Sequence, residues 1–297
     1  MKILIIGSKG FIGRYCVDYF KQHHQVWQCD VVVDYTTPQY TQVDATNANY
    51  NDIFINTNFD VCVNCSGAAS VPDSIQHPER DFNLNTVNVF KQLEAIRKYN
   101  PTCKYINLSS AAVYGNPQSL PVKEEHLLQP ISPYGKHKKM AEDICQEFYD
   151  IYNISTCNLR LFSAYGNGLY KQLFWDLHKK AQKNQTVELF GTGEEQRDFI
   201  HVKDVVKAIS CVVKNADFKN NIINVANGEA YAIKEVVRLF YKAYPIDVIY
   251  NFSKESRQGD PLHWKADISK LIQLGYQPSM TIEEGLKAYV RWVQDQK

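Results

Sequence analysis

Long apolar runs are absent from this chain. No stretch of its 297 residues approaches the roughly 20 consecutive apolar residues that a membrane-spanning helix needs. The first apolar segment, Ile3 to Ile6, runs into a glycine turn where a signal peptide would carry its cleavage region. An excess of charge is absent too. Lysine and arginine number 33 against 32 acids, a net charge of +1, which offers no polyanion-binding surface. Internal repeats, low-complexity tracts and long linkers are also missing. These absences predict a soluble, cytoplasmic, globular protein with neither a membrane nor a nucleic acid as partner.

A complete metal-ligand set is lacking as well. Eight cysteines are scattered through the sequence, several inside apolar runs such as Val61-Cys62-Val63-Asn64-Cys65. The Cys62/Cys65 spacing matches one half of a redox or zinc site, but no second Cys/His pair follows at suitable spacing. Buried, reduced thiols are expected, and no metal.

What is present is an alternation of short apolar runs and amphipathic stretches. Strand-like runs cover Lys2 to Ile6, Gln25 to Cys29, Val61 to Cys65, Lys104 to Leu108 and Ser155 to Leu161, with helix-like segments at 11–22, 79–99 and 134–152. Strands alternating with helices predict an α/β fold, a doubly wound parallel sheet covered on both faces. Ligands of such sheets bind beyond the carboxyl ends of the strands. That rule sets Gly7, Asp30, Ser66, Ser110 and Phe162 along one edge. After residue 165 the pattern loosens into glycine turns, short strands and helices near 170–183, 202–214 and 232–243. We expect a dinucleotide-binding domain over 1–165 and a smaller substrate lobe over 166–297, partly interleaved with the first.

The first turn is chemically specific. Gly7-Ser8-Lys9-Gly10-Phe11-Ile12-Gly13 follows a strand directly and opens a helix. Glycines at this spacing allow a tight turn, close approach to a pyrophosphate and packing of helix on strand, while the helix N-terminus faces the anion. Gly7, Gly10, Phe11, Ile12 and Gly13 are therefore candidate cofactor contacts of a Rossmann-type site, and Ser66 joins them on the strand-end edge. Asp30 ends the second strand, where a carboxylate can accept ribose hydroxyls. Residues 25–44 contain no lysine or arginine to meet a 2′-phosphate, which favours NAD. Lys9 argues for NADP as the alternative. Asp44 is placed to accept from the adenine amino group.

A second constellation handles protons. Tyr134 and Lys138 stand four apart at the start of a helix, on one face, and Ser110 ends an apolar strand. Moving a phenol from about 10 to roughly 7 takes about 4 kcal/mol, more than one exposed ion pair supplies. A second cation is expected, and an oxidised nicotinamide ring is a candidate.

With these motifs in hand, the chain resembles the extended short-chain dehydrogenase/reductases, in the nucleotide-sugar branch that includes UDP-galactose 4-epimerase. Asn64-Cys65-Ser66-Gly67-Ala68-Ala69, Ser109-Ser110-Ala111-Ala112-Val113-Tyr114-Gly115, Leu159-Arg160-Leu161-Phe162-Ser163-Ala164-Tyr165-Gly166, Gly191-Thr192-Gly193, Arg197-Asp198-Phe199-Ile200-His201-Val202 and Arg257-Gln258-Gly259-Asp260 fall in that family's order. The resemblance implies that Tyr134 exchanges a proton with a sugar hydroxyl, Ser110 shares the hydrogen bond, and Lys138 holds the cofactor ribose and lowers the tyrosine pKa. Ser109 is a plausible neighbour. The substrate it implies is a nucleotide-diphosphate sugar, whose phosphates call for guanidinium forks. Arg197 and Arg257 match the phosphate-binding positions by context. Ser70 and Tyr165 match loops that line the sugar pocket, Leu189 and Phe190 a border of the nucleotide base, and Asn85 a supporting asparagine. Ser163 stands where many relatives carry a substrate-contacting asparagine.

The reaction is narrowed by two small residues. Family dehydratases place an Asp-Glu pair after the catalytic hydroxyl residue, because elimination needs a separate acid and base. Here those positions are Ala111 and Ala112. The preferred expectation is an NAD-dependent 4-epimerase working through a transient 4-keto sugar. The alternative is an NAD(P)H-dependent 4-ketoreductase of a nucleotide-4-keto-6-deoxy-hexose, which the short stretch after Asp30, the compact length and Lys9 fit. A catalytically silent dinucleotide-binding relative is disfavoured because Ser110, Tyr134 and Lys138 are all retained. Helices near 79–99 and 134–152 carry apolar residues on more than one face, including Phe82, Phe90, Leu93, Ile144 and Phe148. A homodimer is expected through them.

Overall fold

A computed structural model describes residues 1–45, 47–183, 186–255 and 262–296. Twelve strands run in chain order: β1 (Lys2–Ile6), β2 (Gln25–Asp30), β3 (Tyr40–Gln42), β4 (Val61–Asn64), β5 (Lys104–Ser110), β6 (Thr156–Leu161), β7 (Ser163–Tyr165), β8 (Thr186–Leu189), β9 (Gln196–His201), β10 (Lys219–Val225), β11 (Ala230–Ala232) and β12 (Ile249–Phe252). Seven of them form one parallel sheet in the order β3-β2-β1-β4-β5-β6-β10. The order reverses between β1 and β4, the point at which open sheets of this kind form a ligand crevice beyond the strand carboxyl ends.

The apolar runs become central strands because both faces of the sheet are covered. Ile3 and Ile5 belong to one core cluster and Leu4 and Ile6 to the other, so successive side chains of β1 feed opposite layers. Helices Phe11–Phe20 and Val202–Asn215 pack together on one side. Helices Asn88–Tyr99 and Pro133–Tyr152 pack together on the other. Ser132 starts the latter, its hydroxyl accepting from Gly135 N (3.1 Å), with Pro133 in the first turn, where the amide hydrogen it lacks has no helical partner. Asn153 ends it in a left-handed conformation (φ 57°).

The expected helix over 79–99 is interrupted. Helix Pro78–Phe82 passes into a π-helical turn, Asn83–Val87, before Asn88–Tyr99 begins. The widened turn carries Asn85 and Thr86 into the interior, where Thr86 Oγ1 donates to His137 O (3.0 Å).

The second lobe has its own core. A small sheet β11-β9-β7 and the pair β12-β8 are packed by helices Gln172–Lys183, Ile233–Lys242 and Ile282–Gln294 around Phe174, Phe240 and Tyr289. The last helix is opened by a capping box of Thr281 and Glu284. Strand β10 leaves this half of the chain and pairs with β6, so the large sheet takes its outer strand from beyond residue 165. No described helix is long and apolar enough to cross a membrane. All eight cysteines are free thiols, six of them buried.

Candidate active site

The crevice begins at the glycine turn. Gly7 is left-handed (φ 78°), and a Cβ there would stand 2.7 Å from Ser66 N. A Cβ on Gly13 would stand 2.0 Å from Gly7 O, so helix and strand touch without side chains between them. Gly7 N and Ser8 N both donate to Cys29 O (2.8 and 3.2 Å), which ties the turn to β2. Helix Phe11–Phe20 starts at Gly10 with no side-chain cap and no acid in its first turn. Its first amide hydrogens therefore lack a side-chain acceptor at the positive end of the helix dipole. Asp30 ends β2 with Oδ2 accepting from Lys9 N (2.8 Å) and Oδ1 from Val31 N (2.7 Å). Across the crevice, Asn64 Oδ1 accepts from Ser66 N (3.1 Å) and Ser66 Oγ (2.5 Å). Asp44, past β3, is exposed and accepts from Asn47 N (2.7 Å). A glycine cradle, an uncapped helix start and a carboxylate at the end of β2 fit a dinucleotide's pyrophosphate and ribose.

The proton-handling set converges next to it. Ser110 is the last residue of β5; its Oγ accepts from Ala112 N (3.2 Å), and its side chain lies close enough to the Tyr134 phenol to draw that group's pKa down. Tyr134 lies in the first turn of helix Pro133–Tyr152, its backbone N donating to Ser74 Oγ (3.1 Å). One turn on, Lys138 is 5 % exposed and its Nζ donates to Leu108 O (2.8 Å). Burial pushes the Tyr134 phenol up to about 12, against the pull of Ser110 and with the help of Asp81. Burial draws Lys138 down to about 8, opposed by the charges of Asp81 and Glu142. In the protein alone the tyrosine is thus a weaker acid than in water. The groups that shift it are burial, Ser110 and Asp81, so a further cation is needed to ionise it near neutrality.

Side chains alternate along β5, so Ser110 meets Tyr134 while Ser109 turns to the opposite side and donates to Glu142 Oε1 (2.5 Å). There Glu142 holds Arg160 through Nη2 (2.7 Å) and Nε (3.0 Å). Arg160 Nη1 donates to the Tyr114 hydroxyl (2.9 Å), and Tyr114 donates to Asn224 Oδ1 (2.7 Å) on β10. His137 Nδ1 lies 2.6 Å from Asp81 Oδ1, joining helices Pro133–Tyr152 and Pro78–Phe82 beside Lys138. Sequence reasoning missed Asp81, His137, Glu142 and Arg160. The signal was available for Arg160: a cation inside a strand buried on both faces demands a buried partner. Asn85 is buried in the π turn, its amide without a hydrogen-bond partner among the described residues, and a Cβ on Gly67 would stand 2.5 Å from its Oδ1 and 3.5 Å from Lys138 Nζ.

The substrate-side residues are more scattered. Ser70 caps helix Val71–Gln76, its Oγ accepting from Asp73 N (3.2 Å). Ser163 begins β7 and is half-buried. Arg197 lies in β9, with Nη1 donating to Gln196 O (2.9 Å) and Leu262 O (3.2 Å) and its guanidinium 5.6 Å from the Trp264 ring centre. Arg257, with the motif 257–260, lies outside the described residues. Tyr165 departs from its expected place in the sugar pocket. Its ring is buried edge-on against Phe174, Phe199 and His201, and a Cβ on Gly285 would stand 2.0 Å from its hydroxyl, so it belongs to the core of the second lobe. Leu189 is likewise in that core, whereas Phe190 is exposed and borders a cleft of about 400 Å³ with Lys180, Thr186 and Glu255.

Residues 3–226 match the sequence model of the NAD dependent epimerase/dehydratase family. The chain belongs to that family. Among similar proteins is the UDP-glucose 4-epimerase of Bacillus subtilis, 26% identical over 331 residues that cover 98% of this chain and 96% of that one. Among solved structures, a UDP-N-acetylglucosamine 4-epimerase from Methanobrevibacter ruminantium in complex with UDP-N-acetylmuramic acid is 27% identical, with a TM-score of 0.87 over 100% of this chain and 99% of that one. A mutant UDP-glucuronic acid 4-epimerase from Bacillus cereus, in complex with UDP-4-deoxy-4-fluoro-glucuronic acid and NAD, is 25% identical, with a TM-score of 0.90 over the whole of both chains. The glycine cradle and the Ser110/Tyr134/Lys138 set both fall within the family match.

Proposed function

We propose that this family member is an NAD-dependent 4-epimerase of a UDP-hexose, acting through a transient 4-keto sugar. The observation that carries the reading is the placement of Ser110, the last residue of β5, beside the Tyr134 phenol, with the buried Lys138 one turn further along the helix. Bound at the glycine cradle, the nicotinamide would supply a reversible hydride acceptor. Ser110 holds the C4 hydroxyl against Tyr134, which removes its proton and later returns it. Lys138 contributes positive charge beneath the cofactor ribose. Ala111 and Ala112 are buried and carry no proton, so these two positions supply neither the acid nor the base that an elimination requires. Arg197 and Arg257 are assigned to the substrate diphosphate, Ser70 and Ser163 to the sugar, and Gly7, Gly10, Phe11, Ile12, Gly13, Asp30, Asp44 and Ser66 to the dinucleotide. The similar proteins named above act on or bind UDP-sugars, which supports the choice of nucleotide.

The exposed rings of Phe82 and Phe90 and the side chains of Met140 and Ile151 lie on neighbouring helices, and we assign that face to a two-fold homodimer in the cytoplasm, where free thiols persist. The test of function is direct. Purified protein given NAD and UDP-glucose, UDP-glucuronate or UDP-N-acetylglucosamine is expected to interconvert at least one of them with its C4 epimer, seen by proton NMR. Inertness toward all three, coupled with reduction of a 4-keto-6-deoxy sugar by NADPH, would replace this reading with the ketoreductase.

A further inference from the structure

Lys9 begins beside the carboxylate assigned to the adenosine ribose, since its backbone N–H donates to Asp30 Oδ2 (2.8 Å). Residues 25–44 hold no lysine or arginine, so a ribose 2′-phosphate at the end of β2 would depend on the Lys9 ammonium. That ammonium is already engaged. Lys9 Nζ lies 2.5 Å from Asp34 Oδ2 and 3.2 Å from Thr37 Oγ1, and 4.9 Å from the Tyr40 ring centre. Asp34 is fixed in turn, its Oδ1 accepting from Thr36 N (2.8 Å), Thr36 Oγ1 (2.8 Å) and Thr37 N (3.0 Å). Lys9 first, then Thr37 and Thr36, hold the Asp34 carboxyl well below the usual carboxylate range. The set is an anchored arm with its positive end tied down. Counting Lys9 as +1 and Asp30 and Asp34 as −1 each leaves a net charge of −1, repulsive to a phosphate.

We propose that Asp34 sets the choice of dinucleotide, by tethering the Lys9 ammonium away from the ribose 2′ position so that the site takes NAD and rejects a 2′-phosphate. This rests on the dinucleotide reading of the glycine cradle. It goes beyond Asp30, which can bind the ribose hydroxyls but leaves open what happens to the nearest cation.

The test is equilibrium binding of NAD and of NADP, by titration calorimetry after release of any retained nucleotide, to the wild type, Asp34→Asn, Lys9→Gln and the double variant. Wild type is expected to prefer NAD. Asp34→Asn is expected to narrow that preference about tenfold or more by tightening NADP binding, the size of one charge-assisted hydrogen bond. Adding Lys9→Gln should cancel the gain. Asp34→Ser, which keeps an acceptor for the Thr36 and Thr37 amides, serves if the asparagine variant misfolds. A change that is equal for both dinucleotides, or a gain that survives Lys9→Gln, overturns the proposal. Wild type that prefers NADP overturns it as well. Wild type that binds neither dinucleotide refutes the cradle reading itself, a result distinct from any change in preference.

Discussion

Asp81 offers a sharp test of the proton-handling set, because its charge acts on both members at once. The carboxylate is 1 % exposed, paired with His137 on one oxygen and unpartnered on the other among the described residues. It raises the pKa of Tyr134 and that of Lys138, since a nearby anion disfavours a phenolate and favours an ammonium. Asp81→Asn keeps the shape and removes the charge. The phenolate then forms more readily, so the acidic limb of turnover moves to lower pH. Lys138 loses its proton earlier than its present value of about 8, so the alkaline limb moves to lower pH too. One unit charge acting on a nearby buried group at an effective dielectric of about 20 is worth on the order of 1–2 kcal/mol, so each limb should move by about one pH unit. Initial rates of C4 epimerisation across the pH range, followed by NMR at saturating NAD, measure both limbs. Glu142, Cys145 and Cys65 also act on Lys138, but Asp81 is the carboxylate that acts on both groups. A window that widens, narrows or stays in place would refute the reasoning.

Other consequences concern single parts of the site. Tyr134→Phe removes the proton carrier and is expected to lower turnover about a hundredfold or more with nucleotide-sugar binding retained; near-normal turnover would sink the mechanism. Gly13→Ala drives a methyl group to 2.0 Å from Gly7 O, so dinucleotide binding measured by calorimetry should be lost or severely weakened, and unchanged affinity would contradict the cradle. Glu142→Gln leaves Arg160, 3 % exposed, without its paired anion. Breaking a buried pair of this kind costs about 3–5 kcal/mol, and thermal unfolding should register it, whereas a loss below about 1 kcal/mol would show the pair to be dispensable.

The first half of the fold was legible because its strands are buried on both faces and so read as apolar runs between amphipathic helices. The same logic fails for β10. Asn220 sits at a bulge with positive φ, accepting from Thr156 Oγ1 and Asn158 Nδ2 (both 3.0 Å), and Asn224 donates to Val122 O (2.9 Å). Those asparagines make the segment look like a polar loop, although their partners lie in the large sheet and its loops. The π turn was invisible for a different reason. A one-residue widening of the helix leaves the apolar spacing on either side intact. Tyr165 was misplaced because order along the sequence cannot say which way a strand's side chains face, and in β7 that ring points into the second lobe.

The site itself divides along the same line. Motif spacing singled out the glycine turn, Asp30, Ser110, Tyr134 and Lys138, and the structure places them at the carboxyl ends of β1, β2 and β5 and in the first turns of helix Pro133–Tyr152. What sequence spacing could not supply is the buried frame behind them. Glu142 lies one turn beyond Lys138 on the same helix and binds both Ser109 and Arg160, so helix Pro133–Tyr152 is pinned to β5 and β6 by one carboxylate. Because Ser109 and Ser110 are adjacent and point to opposite sides, that bond also fixes the register of Ser110 against Tyr134. The frame therefore fixes helix Pro133–Tyr152, and with it Tyr134 and Lys138, against β5 and β6, while the second lobe is built on an aromatic core of its own.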